Sequence, residues 1–105
     1  MKELTVKELK KLMDTKEDFQ LIDVREDYEI EICHIGGERI PLNQLPHSID
    51  RISRTKKVIV HCRSGSRSSN AIKWLEKNHQ LENLYNLKGG ILAWADEVDP
   101  QMTKY

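Results

Sequence analysis

The plainest pattern in the chain is an apolar run that ends at a thiol. "KKVIVHC", residues 56–62, carries three consecutive β-branched residues, Val58, Ile59 and Val60. A run apolar on both faces predicts a central strand of a parallel sheet, covered on both sides. "FQLIDV", residues 19–24, has the same character and predicts a second buried strand. "RIPL" predicts a short strand closed by Pro41, and "LENLYNL" a further one.

Between these runs the helical period takes over. Thr5 and Glu8 form a T-x-x-E capping box ahead of Val6, Leu9, Leu12 and Met13, which predicts a helix through about Met13. "REDYEIEI" has room for one or two helical turns. "LNQLPHSIDRI" spaces Leu42, Leu45, Ile49 and Ile52 as a helix does, with Pro46 tolerable in a first turn. "RSSNAIKWLEKN" places Ala71, Ile72, Trp74 and Leu75 on an apolar side, and "ILAWADEV" after Gly89 and Gly90 predicts a last helix. The polar tail, residues 99–105, is expected to fray. Strands alternating with helices predict an α/β fold, a parallel sheet flanked by helices on both faces. Sites in such sheets lie beyond the C-terminal strand ends. Cys62 falls at one such end and "DVRE" at another.

With 105 residues, the chain reads as a single domain, 1–105. Lys plus Arg balance Asp plus Glu at 17 each, so no global charge favours nucleic acid or a membrane surface. No apolar run approaches the about 18 residues of a membrane span. The charged, amphipathic N-terminus lacks a signal-peptide core, so a cytoplasmic location is expected. The two cysteines, Cys33 and Cys62, read as free thiols. Cys33–His34 and His61–Cys62 are adjacent pairs without the spacing of a zinc site, so no metal is expected.

Cys62 has the surroundings of a reactive thiol. It precedes a helix start, whose unpaired N–H groups favour an anion. Ser64, Gly65 and Ser66 are small enough for a turn whose N–H groups point inward as an anion nest. From Arg51 to Arg67 there are six cations and no acid. That run predicts a patch that draws a small anion toward Cys62, with Arg63 and Arg67 positioned to grip it. The alternative is an inert buried cysteine ending a strand.

"VIVHCRSGSRSSNAIKWL" resembles the active-site strand, loop and helix of the rhodanese family of sulfurtransferases. "LIDVREDYEIEICHIGG" resembles that family's first motif and "LYNLKGGILAWADE" its C-terminal signature, so the resemblance spans residues 4–98. It implies a five-stranded parallel sheet with helices on both faces. It also implies a reaction in which Cys62 takes a sulfane sulfur from a donor such as thiosulfate, becomes a persulfide, and passes that sulfur to an acceptor. The acceptor would be cyanide in an assay and a thiol in cells. No cofactor is implied beyond this covalent sulfur. Arg63, Ser64, Gly65, Ser66 and Arg67 would bind the substrate, and their N–H groups would stabilise the anionic sulfur. Cys62 and Arg67 have four residues between them, whereas the related cysteine phosphatases carry C-x5-R, so a cradle for one sulfur atom is expected.

Departures from the family pattern are local: Cys33 where Gly is common, Gly36 for Pro, and a "GGERIPL" stretch one residue short. These and "AWADEVDPQMTKY" resemble the rhodanese-like domains of adenylyltransferases that pass sulfur to small carrier proteins, which makes such a carrier a candidate partner. The alternatives are a non-enzymatic interaction module and a persulfide carrier. Asp23 and Arg25 read as structural. His61 should point away from the loop by strand alternation. Cys33 and His34 read as turn residues, Trp74 as core, and Trp94 as core or pocket rim.

Overall fold

The computed structural model describes residues 1–105. Five strands form one sheet: β1 (Glu3–Leu4), β2 (Phe19–Asp23), β3 (Glu38–Arg39), β4 (Lys57–His61) and β5 (Leu84–Leu87). Their order is β1-β5-β4-β2-β3, and every neighbouring pair is parallel. Parallel pairing requires crossovers: α1 (Val6–Asp14) joins β1 to β2, α2 (Asp27–Ile32) joins β2 to β3 and α3 (Ser66–His79) joins β4 to β5, while α4 (Gly90–Glu97) follows the last strand. β4 is central, and its Val58, Ile59 and Val60 are at most 1% exposed, as its unbroken apolar run requires.

Side-chain alternation along the strands builds two cores. Val58, Val60 and Cys62 face Ala71, Ile72 and Leu75 of α3. Ile59 and Leu21 face Val6, Leu9 and Leu12 of α1 and Trp94 of α4. The capping box of α1 forms as expected, Glu8 N donating to Thr5 Oγ1 (3.1 Å) and Thr5 N to Glu8 Oε1 (3.0 Å).

Three expectations change. The segment expected as a helix from Leu42 to Ile52 is two 3-10 turns, Leu42–His47 and Ile49–Arg51. Pro46 lies inside the first of them and lacks the N–H an α-helical ladder needs there. "RIPL" pairs earlier than expected, at Glu38–Arg39, opposite Ile22 and Asp23. The tail, expected to fray, turns back across the sheet end, where Tyr105 hydrogen-bonds Arg25, Glu29 and Arg63.

Candidate active site

Cys62 is the first residue beyond β4, at the C-terminal edge of the sheet, and is 1% exposed. Gly65 N donates to its Sγ at 3.1 Å and Ser68 N at 3.4 Å, while Ser68 Oγ lies 3.3 Å away. Gly65 adopts φ +108°, which a Cβ-bearing residue rarely takes. That conformation reverses the chain within three residues, so the N-terminus of α3 closes over the sulfur.

The loop's carbonyls are held elsewhere. Ile91 N donates to Cys62 O (3.0 Å), Leu92 N to Arg63 O (3.1 Å) and Asn86 Nδ2 to Gly65 O (3.1 Å). The first two donors belong to the unpaired first turn of α4, so one set of bonds satisfies that helix and fixes the loop. A trans peptide points its N–H opposite its C=O. The N–H groups of Arg63, Ser64 and Ser66 therefore point away from β5 and α4. Gly90 makes this approach possible: a Cβ there would sit 2.4 Å from Arg63 O and 2.6 Å from Cys62 O. The Gly89–Gly90 pair, which sequence shows only as a turn, is what brings α4 against the thiol loop.

The two arginines are both engaged. Arg67 donates Nη1 and Nη2 to the two carboxylate oxygens of Glu29, at 2.6 and 2.8 Å. Glu29 is 2% exposed and also accepts from Glu26 N (3.1 Å) and the Tyr105 hydroxyl (2.7 Å). The Arg67 hydrogen bonds lower its carboxyl to about 2, reinforced by Tyr105 and the Glu26 N–H against the opposing effect of burial. The same Glu29 bonds hold Arg67 above the usual guanidinium range. Arg63 donates Nε and Nη2 to the main-chain oxygen of Tyr105, and its guanidinium stacks on the Tyr105 ring, 5.1 Å from the centroid. Burial and the Glu29 contact push the Tyr105 hydroxyl above its ordinary range.

Arg25 holds this ring of charges in place. It is fully buried and donates to both carboxylate oxygens of Asp23, to Glu29 O, to Cys33 O and to the Tyr105 hydroxyl. Burial alone would lower Arg25. Its bonds to Asp23 and Tyr105 outweigh that, leaving it above the usual guanidinium range. Asp23 and Arg25 thus have the structural role read from sequence. Glu29 and Tyr105 were missed, because their partners lie 38 and 76 residues away in the chain. Glu29 is buried beside Ile30 on α2, but a lone Glu among Asp27, Glu26 and Glu31 has no local signature of burial.

The cation run does not converge on Cys62, contrary to expectation. Arg51, Arg54 and Lys56 precede β4, and a strand of that length separates its two ends by about 16 Å. Arg51 pairs with Glu38 and Lys56 with Asp18, while Arg54 donates to His79 O. A surface cleft lined by Phe19, Gln20, Glu38, Arg51 and Lys56 opens at that far end and includes none of the thiol loop. Ser64 and Ser66 are exposed. His61 lies on the face opposite Cys62, fully buried, with neither ring nitrogen hydrogen-bonded. Burial lowers His61 from its usual range, the Asp23 charge opposes this, and the imidazole stays neutral. Trp94 is core, and Trp74 packs at the edge of the α3-side core. Cys33 is half-buried, and both thiols are free.

Comparison with known proteins agrees with this geometry. Residues 5–97 match the family described as "Rhodanese-like domain". The solved rhodanese-like domain protein from Staphylococcus aureus superposes with a TM-score of 0.83 at 30% identity, over 93% of this chain and 95% of that one. The chain is 30% identical over 105 residues to the "Probable adenylyltransferase/sulfurtransferase MoeZ" of Mycobacterium tuberculosis, covering 97% of this chain but only 26% of that protein. It is 35% identical over 57 residues to a "Sulfurtransferase" of Allochromatium vinosum, covering 54% of this chain and 52% of that one. The parallel five-stranded sheet, the thiol loop at the end of its central strand and the match over most of the length agree: the chain belongs to the rhodanese-like domain family.

Proposed function

We propose that this protein is a sulfurtransferase that carries one sulfane sulfur on Cys62. The observation that supports this best is the Sγ of Cys62 held by the N–H groups of Gly65 and Ser68 at the mouth of a helix. Such donors lower the energy of an anionic sulfur in the way an oxyanion hole does for oxygen. In the first half-reaction the Cys62 thiolate attacks the outer sulfur of the donor. A new S–S bond forms, and the donor's own S–S bond breaks, its electron pair leaving with sulfite or a thiolate. In the second, an acceptor thiolate attacks the outer persulfide sulfur and Cys62 leaves as thiolate. The sulfur is carried covalently and no cofactor takes part. Relatives named sulfurtransferases, the adenylyltransferase/sulfurtransferase included, support sulfur transfer, and a thiol or a small sulfur-carrier protein is the acceptor of this proposal. A reducing cytoplasm fits a site that must return to a free thiol.

The donor is less suited to be a free dianion than the count of arginines implies. Arg67 is committed to Glu29 and Arg63 to the main-chain oxygen of Tyr105. Thiosulfate must displace Tyr105 to reach Arg63, whereas a persulfide donor needs no such anion grip. Both remain within the proposal, with persulfide donors the faster. Incubation with thiosulfate or glutathione persulfide should add about 32 Da, one sulfur atom, to Cys62. Cys62→Ser should lose both the adduct and turnover. Turnover that survives this substitution would refute the proposal.

A further inference from the structure

Ser68 follows Arg67 on the first turn of α3 and is fully buried. Its hydroxyl has one proton and two acceptors in reach. Asn86 Oδ1 lies 2.5 Å away and Cys62 Sγ 3.3 Å. The Asn86 amide is not free to turn, because its Nδ2 donates to Gly65 O at 3.1 Å, which leaves Oδ1 facing Ser68. Asn86 is itself 5% exposed, so water does not compete at either contact.

The direction of this hydroxyl must depend on the charge at Sγ. While Cys62 is a thiol, the S–H donates to Ser68 Oγ, and the Ser68 proton goes to Asn86. When Sγ is anionic it has no proton to give and becomes the stronger acceptor, since hydrogen bonds to an ion are roughly twice as strong as neutral ones. Rotation about one C–O bond then turns the proton from Asn86 to Sγ. In the persulfide the charge sits on the outer sulfur, Sγ is a neutral bridging atom, and the hydroxyl returns to Asn86.

We propose that Ser68 is a catalytic residue of the sulfur-transfer step, its hydroxyl donating a hydrogen bond to Cys62 Sγ as that sulfur leaves the persulfide as thiolate, the proton staying on Oγ, and that Asn86 is the positioning residue that holds the hydroxyl between turnovers. This rests on the Cys62 persulfide reading. The two half-reactions are affected differently. In discharge, the acceptor thiolate forms a bond to the outer sulfur, the S–S bond breaks, and its electron pair goes to Sγ. The Ser68 bond strengthens as that negative charge grows, so it lowers the barrier. In loading, the same bond stabilises the attacking thiolate before reaction and weakens during it. Loss of the hydroxyl therefore slows discharge and not loading.

The test is single-turnover kinetics on the full chain, with mass spectrometry following the sulfur on Cys62. The protein is loaded with glutathione persulfide, freed of donor, and discharged with cyanide or dithiothreitol. Ser68→Ala should load within about twofold of the wild type and discharge about tenfold more slowly, the scale of one lost charge-assisted hydrogen bond. Ser68→Thr keeps the hydroxyl and should discharge within about threefold of the wild type. Ser68→Ala combined with Asn86→Ala should lose less in discharge than the sum of the two single losses, because the part of the Asn86 effect that runs through the hydroxyl is already gone, while its bond to Gly65 O is common to both backgrounds. Normal loading of each variant shows that the loop is folded. Equal discharge by Ser68→Ala and the wild type, or failure of Thr to rescue, would overturn the role of Ser68. An additive loss in the double variant would overturn the role of Asn86. Failure of the wild type to load would instead refute the persulfide reading itself.

Discussion

Glu29→Gln separates the charge network from the thiol chemistry and has a magnitude that follows from the structure. Glu29 titrates at about 2 in the folded chain against an ordinary 4.5. That difference corresponds to roughly 3 kcal/mol of stabilisation. Arg67 is 36% exposed, so water screens its end of the pair and about half of this survives. Gln also keeps one acceptor for Tyr105 or Arg67, which leaves an expected loss of roughly 1–2 kcal/mol at pH 7. For a domain of this size that is a fall in Tm of about 6–10 °C. The pH dependence gives the sharper check. The folded value lies below the unfolded one, so the stabilisation is complete above about pH 4.5 and fades as the pH falls toward 2. His61, buried and neutral, also weakens the fold in acid, but it does so in both proteins and cancels in the difference. Urea unfolding followed by the fluorescence of buried Trp94 should show the wild-type advantage shrinking by more than half between pH 7 and pH 3. An advantage unchanged at pH 3, or below about 0.5 kcal/mol at pH 7, would refute the view that an ionised Glu29 anchors Arg67.

Gly90→Ala should cost about 3 kcal/mol or more and abolish sulfur transfer, since φ is +59° and the new Cβ meets only backbone of the thiol loop. Gly36→Ala, with a similar φ but open space around it, should cost only about 1 kcal/mol in the same unfolding experiment. Tyr105→Ala removes the ring and hydroxyl that seat the main-chain oxygen on Arg63, so the KM for thiosulfate should fall about threefold or more with kcat unchanged. Unchanged initial-rate constants would show that Tyr105 does not compete with the donor. Arg63→Ala should raise that KM while leaving turnover with glutathione persulfide near wild type, and an equal loss with both donors would refute an anion-specific role.

The layers and the place of the thiol follow from local pattern in the chain. Three β-branched residues in a row are apolar on both sides, so β4 had to lie inside a covered sheet. Gly65 and the helix pattern after it then put Cys62 at a strand end beneath a helix start. Those features are local, because each depends on periodicity or backbone freedom within a few residues. The two-residue strand β1, Glu3–Leu4, is too short to show any period, and only its pairing with Asn86 and Leu87 makes it a strand. Charge was the least legible property. Six cations adjacent in sequence are divided by a strand between the two ends of the sheet, while Arg67 finds its partner on α2 and Arg63 on the returning tail. Tertiary structure also decided how the "GSRSS" stretch and "LYNLKGG" work together. The first turn of α4, admitted by Gly90, and Asn86 anchor the loop's carbonyls, Asn86 also holds the Ser68 hydroxyl, and in the loop so fixed the N–H groups of Gly65 and Ser68 reach the sulfur. A chain can place a nucleophile by local pattern alone, but the direction of the dipoles around it depends on contacts between segments far apart in sequence.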